Sequence, residues 1–155
     1  MRTMYKPKYF KLHELVDKET YENNPEWKIW RGLDERLLRV IDILREEIGV
    51  SITINNWFWG KDRQWSGLRN SSSPWYSTWS CHSYGRAVDM IFKGIPAVEV
   101  RKKIKELMQQ GKFDGIVDSL TLEETVSYRD NGTSPLTWVH LSVMNNKPGY
   151  NEIYV

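Results

Sequence analysis

The sequence predicts an α+β domain in which N-terminal helices pack on a mostly antiparallel sheet. Two amphipathic stretches repeat at helical period, over 34–48 and 96–110, while short alternating or β-branched runs fill 50–55, 86–92, 115–118, 120–128 and 136–143. Helices ahead of a closing run of strands give that layout. No internal repeat and no long Pro/Gly/Ser stretch divides the 155 residues, so a single domain spanning 1–155 is expected. That length suffices for one real hydrophobic core.

Taken in order, Tyr9 to Leu15 is a short amphipathic piece that should pack on the core. His13 within it belongs to no motif and reads as a surface or capping residue. From Asp34 to Ile48, Leu37, Leu38, Ile41, Leu44 and Ile48 share a helical face, and Gly49 follows as the stop. Val50 to Asn55 alternates as a strand does. Residues 56–81 form a loop too long for a mere connector, and loops of that length are usually functional or disordered. Its Trp57, Trp59 and Trp65 fit the walls of a groove as well as ordinary packing. Arg86 to Phe92 reads as a strand carrying Asp89. Pro96 opens a helix to Gln110 with Val98, Ile104, Leu107 and Met108 inward and Gly111 at its end. The remaining strands are 115–118, 120–128 and 136–143. Asp130-Asn131-Gly132 is a turn signal between the last two, so a hairpin is expected.

Composition narrows the function classes. Twenty-two basic and 20 acidic residues leave a net charge of +2. With no basic run interleaved with aromatics, this argues against nucleic acid as a partner. A pI near 8.6 mildly favours an anionic polymer such as a bacterial wall. Eight tryptophans and eight tyrosines exceed what a core this size needs, and amphipathic rings suit a binding groove. No stretch reaches the roughly eighteen apolar residues of a membrane span. The N-terminus lacks the apolar centre of a secretory signal, so synthesis in the cytoplasm without a signal peptide is expected. The single cysteine excludes an intramolecular disulfide. Cys81 reads as a small buried filler.

Chemistry concentrates in Ser80-Cys81-His82-Ser83-Tyr84-Gly85-Arg86-Ala87-Val88-Asp89 and in Trp138-Val139-His140. His82, Asp89 and His140 make a two-histidine, one-carboxylate set, which suits Zn²⁺ and leaves a fourth position open for water. His82 and Asp89 are too far apart for one helical face but fit a loop entering a strand. Gly85 lets the chain turn, Ala87 keeps space clear beside the ion, and His140 would come from a neighbouring strand together with Trp138 and Ser142.

The pattern Ser-x-His-x-x-Gly-x-Ala-x-Asp, met here at Ser80, His82, Gly85, Ala87 and Asp89 with the distal aromatic-x-His, resembles the signature of the M15 zinc peptidases. These are D-Ala-D-Ala carboxypeptidases and peptidoglycan endopeptidases, and their fold is shared with the hedgehog signalling domain. The resemblance spans essentially the whole chain. It implies a hedgehog/DD-peptidase-like fold, Zn²⁺ on His82, Asp89 and His140, and hydrolysis of peptidoglycan stem peptides or cross-links by a bacteriophage or prophage endolysin or a virion-associated enzyme. Such a protein acts at the bacterial wall after release or as part of a particle. Asn55-Asn56-Trp57 through Arg69 resembles the segment before the metal motif in phage-type members, whose arginine lies near the metal. Arg69 is accordingly assigned to a substrate carboxylate or the oxyanion, with Ser80 and Trp138 as further substrate contacts.

The general base is less sharply marked. M15 enzymes often carry an acid three positions before the last histidine, and hedgehog-type domains a Glu six before it. This chain has Thr137 and Ser134 there. By period two, Leu120, Leu122, Glu124, Val126 and Tyr128 share one face and Thr121, Glu123, Thr125 and Ser127 the other. Glu124 in the apolar row is the leading base, because desolvation would raise its pKa. Glu123, Asp118 and Asp130 are the alternatives. The missing acid also motivates a rival reading, a non-catalytic metal-binding domain in a phage structure or wall-binding role; a third reading, a cytoplasmic dipeptidase acting on D-Ala-D-Ala, would need a tighter pocket.

Overall fold

A computed structural model describes residues 4–127, 133–143 and 152–154. Two short helices that the sequence reading did not anticipate come first. In α1 (Lys18–Asn23) the Asp17 side chain caps the N-terminus, accepting from the Thr20 amide at 2.9 Å and from its hydroxyl at 2.7 Å. Pro25 then opens α2 (Glu26–Arg31), its fixed φ suiting a helix start. Six residues apiece leave too few turns for a periodic signal.

The long amphipathic stretch forms α3 (Glu35–Ile48), capped by Asp34 on the Arg36 amide and closed by Gly49 in the left-handed region at φ 78°. It buries Leu37, Leu38, Val40, Ile41 and Leu44. Asp42 is buried on the same helix and is satisfied by the Tyr5 hydroxyl and the Lys8 and Tyr9 amides.

The second long helix, α4 (Ala97–Gln109), starts after Pro96. It presents Val100, Arg101, Ile104 and Leu107 to the core. Val98, expected inward, is 65% exposed, because by helical period it shares the outward face with Lys102 and Gln109, opposite Val100 and Ile104.

Five strands form one antiparallel sheet in the order β1-β2-β4-β3-β5. They are β1 (Ile52–Thr53), β2 (Ala87–Phe92), β3 (Thr121–Ser127), β4 (Thr133–Ser142) and β5 (Glu152–Tyr154). The α+β expectation with antiparallel pairing is met, including the β3–β4 hairpin pairing; its turn signal, Asp130-Asn131-Gly132, lies outside the described residues. Two expectations need correction. The 50–55 strand shrinks to two paired residues, and 115–118 is no strand but part of a run of turns from Gly111, with Ile116 and Val117 bonded back to Phe113. Gly111 and Gly115, both at positive φ, favour turning over extension.

Register divides the sheet into two faces. Val88, Met90, Val139, Leu141 and Leu122 join the core that α3 and α4 complete. The opposite face carries Asp89, His140 and Glu123 in one cross-strand row, Asp89 opposing His140 and His140 opposing Glu123. Among the described residues, no helix is long and apolar enough to cross a membrane.

His13 departs from its expected surface or capping role. Half-buried, it stacks on Phe58 with ring centroids 3.9 Å apart and meets Tyr21, Trp57 and Trp59 edge-on. Its Nδ1 has no hydrogen-bond partner among the described residues. Burial lowers its pKa, and the Lys11 charge pushes the same way. A histidine that protonates less readily when folded contributes stability above its ordinary pKa of about 6.5, and that contribution is lost as pH falls from that value through the lower folded one. Acidifying from about pH 7 to 5 should therefore lower the unfolding midpoint more for the wild type than for His13→Phe, which keeps the stacked ring without a titrating nitrogen. Parallel declines in thermal melts of the two proteins would clear His13 of this role.

Candidate metal centre

Three segments build the centre. His82 sits in a 3₁₀ turn, Cys81–Tyr84, capped by the Ser80 hydroxyl, which accepts from the His82 amide at 3.2 Å. Gly85 ends that turn at φ 66°, and a Cβ there would stand 2.1 Å from the Gly32 carbonyl oxygen, so both the turn and the close approach require glycine. Asp89 and His140 are direct cross-strand partners on β2 and β4, which places their side chains side by side on one face.

The donor atoms converge. His82 Nε2 lies 3.3 Å from His140 Nδ1 and 3.3 Å from Asp89 Oδ1, and His140 Nδ1 lies 2.9 Å from the same oxygen. All three residues are buried, and they form a set that could hold a metal ion. Tetrahedral bonds of about 2.0 Å require donors roughly 3.3 Å apart, close to the triangle found here. Two of the remaining side-chain atoms are tied down. His82 Nδ1 donates to the Gly67 carbonyl at 2.9 Å, which fixes the tautomer that leaves Nε2 as a lone pair. Asp89 Oδ2 accepts from Arg69 Nη2 at 3.0 Å, and the Asp89 amide donates to the Ser66 carbonyl at 2.7 Å.

Electrostatics follow from burial and contact. Burial lowers the His82 pKa against the attraction of Asp89. For Asp89, burial pushes upward, but the charges and hydrogen bonds of His82 and His140 hold it well below the usual carboxylate range. At His140 burial pulls downward, and the Asp89 bond and charge outweigh it and raise the value. A proton held between His140 and Asp89 would compete with a cation for the same atoms, so metal binding there would be coupled to proton release.

The cluster lines a cavity of about 650 Å³ together with Arg63, Arg69, Trp75, Ser80, Glu123 and Trp138. Arg69, Ser80 and Trp138 are therefore brought to the site as expected. Glu124 is not: it pairs with Lys105 of α4 at 3.0 Å, on the far side of the sheet. The register shift between Glu123 and Thr125 does not rescue it, because Glu123 opposes His140 and Glu124 turns away. Asp118 is exposed in the turn region and does not reach the cavity, and Asp130 lies outside the described residues. Of the three groove tryptophans, Trp65 lines the cavity, whereas Trp57 donates to the Val16 carbonyl at 2.8 Å and Trp59 packs beside His13. Cys81 is buried, as expected of a filler.

The sequence reading also missed Arg63 and Trp75, which lie in the irregular 56–81 segment, where no periodicity marks direction. That segment is pinned rather than loose. Asn55 Nδ2 donates to the Val16 carbonyl at 3.1 Å, its Oδ1 accepts from the Ser66 amide at 2.9 Å, and the Leu68 amide donates to the Leu15 carbonyl at 2.9 Å.

The defined class is thus an α+β domain with a buried two-histidine, one-aspartate centre open to a cavity. Comparison with protein-family models, with curated proteins and with solved structures finds no match in any of the three.

Proposed function

We propose that the protein is a zinc-dependent peptidase of M15 type, with a hedgehog/DD-peptidase-like fold, that hydrolyses stem peptides or cross-links of peptidoglycan at the bacterial wall. The observation that carries this reading is the triangle of donors at 2.9–3.3 Å among three residues that line one cavity. Two neutral imidazoles and one carboxylate favour zinc over the hard cations, which prefer all-oxygen sites. Zinc, when bound, supplies a Lewis acid that polarises the scissile carbonyl and makes water acidic near neutral pH.

The chain's own residues do the rest. His82, Asp89 and His140 bind, and Gly67 and Arg69 hold two of those side chains in orientation. Glu123, one strand over from His140, is the base: a carboxylate oxygen takes a proton from the attacking water as its oxygen bonds to the amide carbon. The same carboxyl returns the proton to the departing nitrogen as the C–N bond breaks. Arg69 offers a guanidinium near developing oxyanion charge, although its bond to Asp89 makes orientation of that ligand its first task.

Metal content and lysis test this reading together. The purified protein should bind one zinc ion, solubilise purified bacterial walls, lose that activity to a chelator and regain it with Zn²⁺. His82→Ala should lose both metal and activity. Undiminished lysis by His82→Ala would refute the proposal.

A further inference from the structure

Beside the ligand cluster the cavity holds a second guanidinium, Arg63. Its backbone is clamped on both sides: the amide donates to Asn56 Oδ1 at 2.9 Å, and the carbonyl accepts from the Asn56 and Trp57 amides at 2.9 and 3.2 Å. Its Nε donates to the Ile54 carbonyl at 2.8 Å. Because the guanidinium is a planar fork, one anchored Nε fixes the direction of the other two nitrogens. Nη1 and Nη2 make no hydrogen bond among the described residues, although the side chain is half-buried and burial opposes its charge. Asp89, which attracts it, is already engaged by Arg69, His82 and His140, and Arg69 repels it. A rigid, partly desolvated cation with two idle parallel donors matches one ligand chemistry well, a carboxylate taken bidentately.

We propose that Arg63 is a carboxylate subsite, so that the cavity selects peptides carrying an anionic carboxylate next to the bond held at the metal centre. This rests on the metal reading above and adds a specificity-determining residue to it. The carboxylate has two sources in a peptide: the main-chain terminus one residue beyond the scissile bond, or an acidic side chain on the residue before it.

Three small metal-directed probes separate these cases. Acetohydroxamate carries no carboxylate. Succinic acid monohydroxamate places one two atoms from the hydroxamate carbon, as a terminal residue would, and glutaric acid monohydroxamate places it three atoms away, as a glutamyl side chain would. Zinc content is measured first, and calorimetry then gives the affinity of the zinc-loaded protein for each probe. One carboxylated probe should bind about tenfold or more tightly than acetohydroxamate, and its identity names the source. Arg63→Gln should bring all three affinities within about twofold, and Arg63→Lys, which keeps the charge without the fork, should retain part of the preference. Equal affinities in the wild type, or a preference that survives Arg63→Gln, overturn the proposal. A protein that holds no zinc overturns the metal reading beneath it, and the initial zinc measurement tells that failure apart.

Discussion

Replacing Glu123 by glutamine is expected to leave zinc bound and to slow hydrolysis of wall peptides by about 10²–10⁴-fold, the usual worth of a positioned general base. The prediction follows from register: Glu123 opposes His140 on the cavity face and lines the same cavity as the three ligands. Glu124→Gln supplies the contrast. That change removes only the ion pair with Lys105, in which both side chains are about one-third exposed, so activity should stay within a few-fold and stability within about 1 kcal/mol. Metal content by emission spectroscopy and turnover on purified walls are the two measurements. Equal losses in both variants would remove Glu123 from its role. Full activity in Glu123→Gln with zinc in place would also do so.

Gly67→Ala should disable the centre without touching a ligand. A Cβ on Gly67 would lie 2.0 Å from the Leu15 carbonyl oxygen, inside any permissible contact, and the clash is with backbone that cannot swing aside. The loop must lift, which carries away the carbonyl that orients His82 Nδ1 and strains the neighbouring bonds from Leu68 to Leu15 and from Asp89 to Ser66. Overpacking of this kind costs about 1–3 kcal/mol. Loss of the acceptor behind a ligating histidine weakens metal affinity about 10–100-fold. Denaturant unfolding and zinc titration should show both losses together. Wild-type zinc affinity in a destabilised Gly67→Ala protein would mean that the Gly67 carbonyl does not orient His82.

Much of this was written locally in the chain. Asp34 and Gly49 bracket α3, Pro96 marks the start of α4, and the alternation in 86–92 and 136–143 gives β2 and β4 with only small boundary shifts. The three candidate ligands were legible because chemistry, spacing and small flanking residues agree. Glu124 falls away from the cavity for a physical reason. Glu124 shares an apolar row with Leu122, and that row faces the core and α4, whereas a metal centre that admits substrate must use the other face. Matching rows across the hairpin, with Thr121 opposite Ser142 and Glu123 opposite His140, would have pointed to Glu123. Arg63 and Trp75 had no such signal. Arg63 is held by bonds to Ile54, Asn56 and Trp57, and the Trp75 amide by the Ser73 hydroxyl, irregular loop bonds that no helical or strand period encodes.

The strand order has a kinetic consequence. The last ligand rides on β4, the middle strand of the sheet, 58 residues from His82 and 51 from Asp89. Contacts so distant in sequence form late, because closing such loops costs entropy before pairing returns it. A nascent chain that has not yet released β4 offers only two of the three donors, so tight capture of the ion waits for the sheet to zip shut. In the reverse direction, opening of the central strand would remove one of the three donors and weaken the hold on any ion bound there.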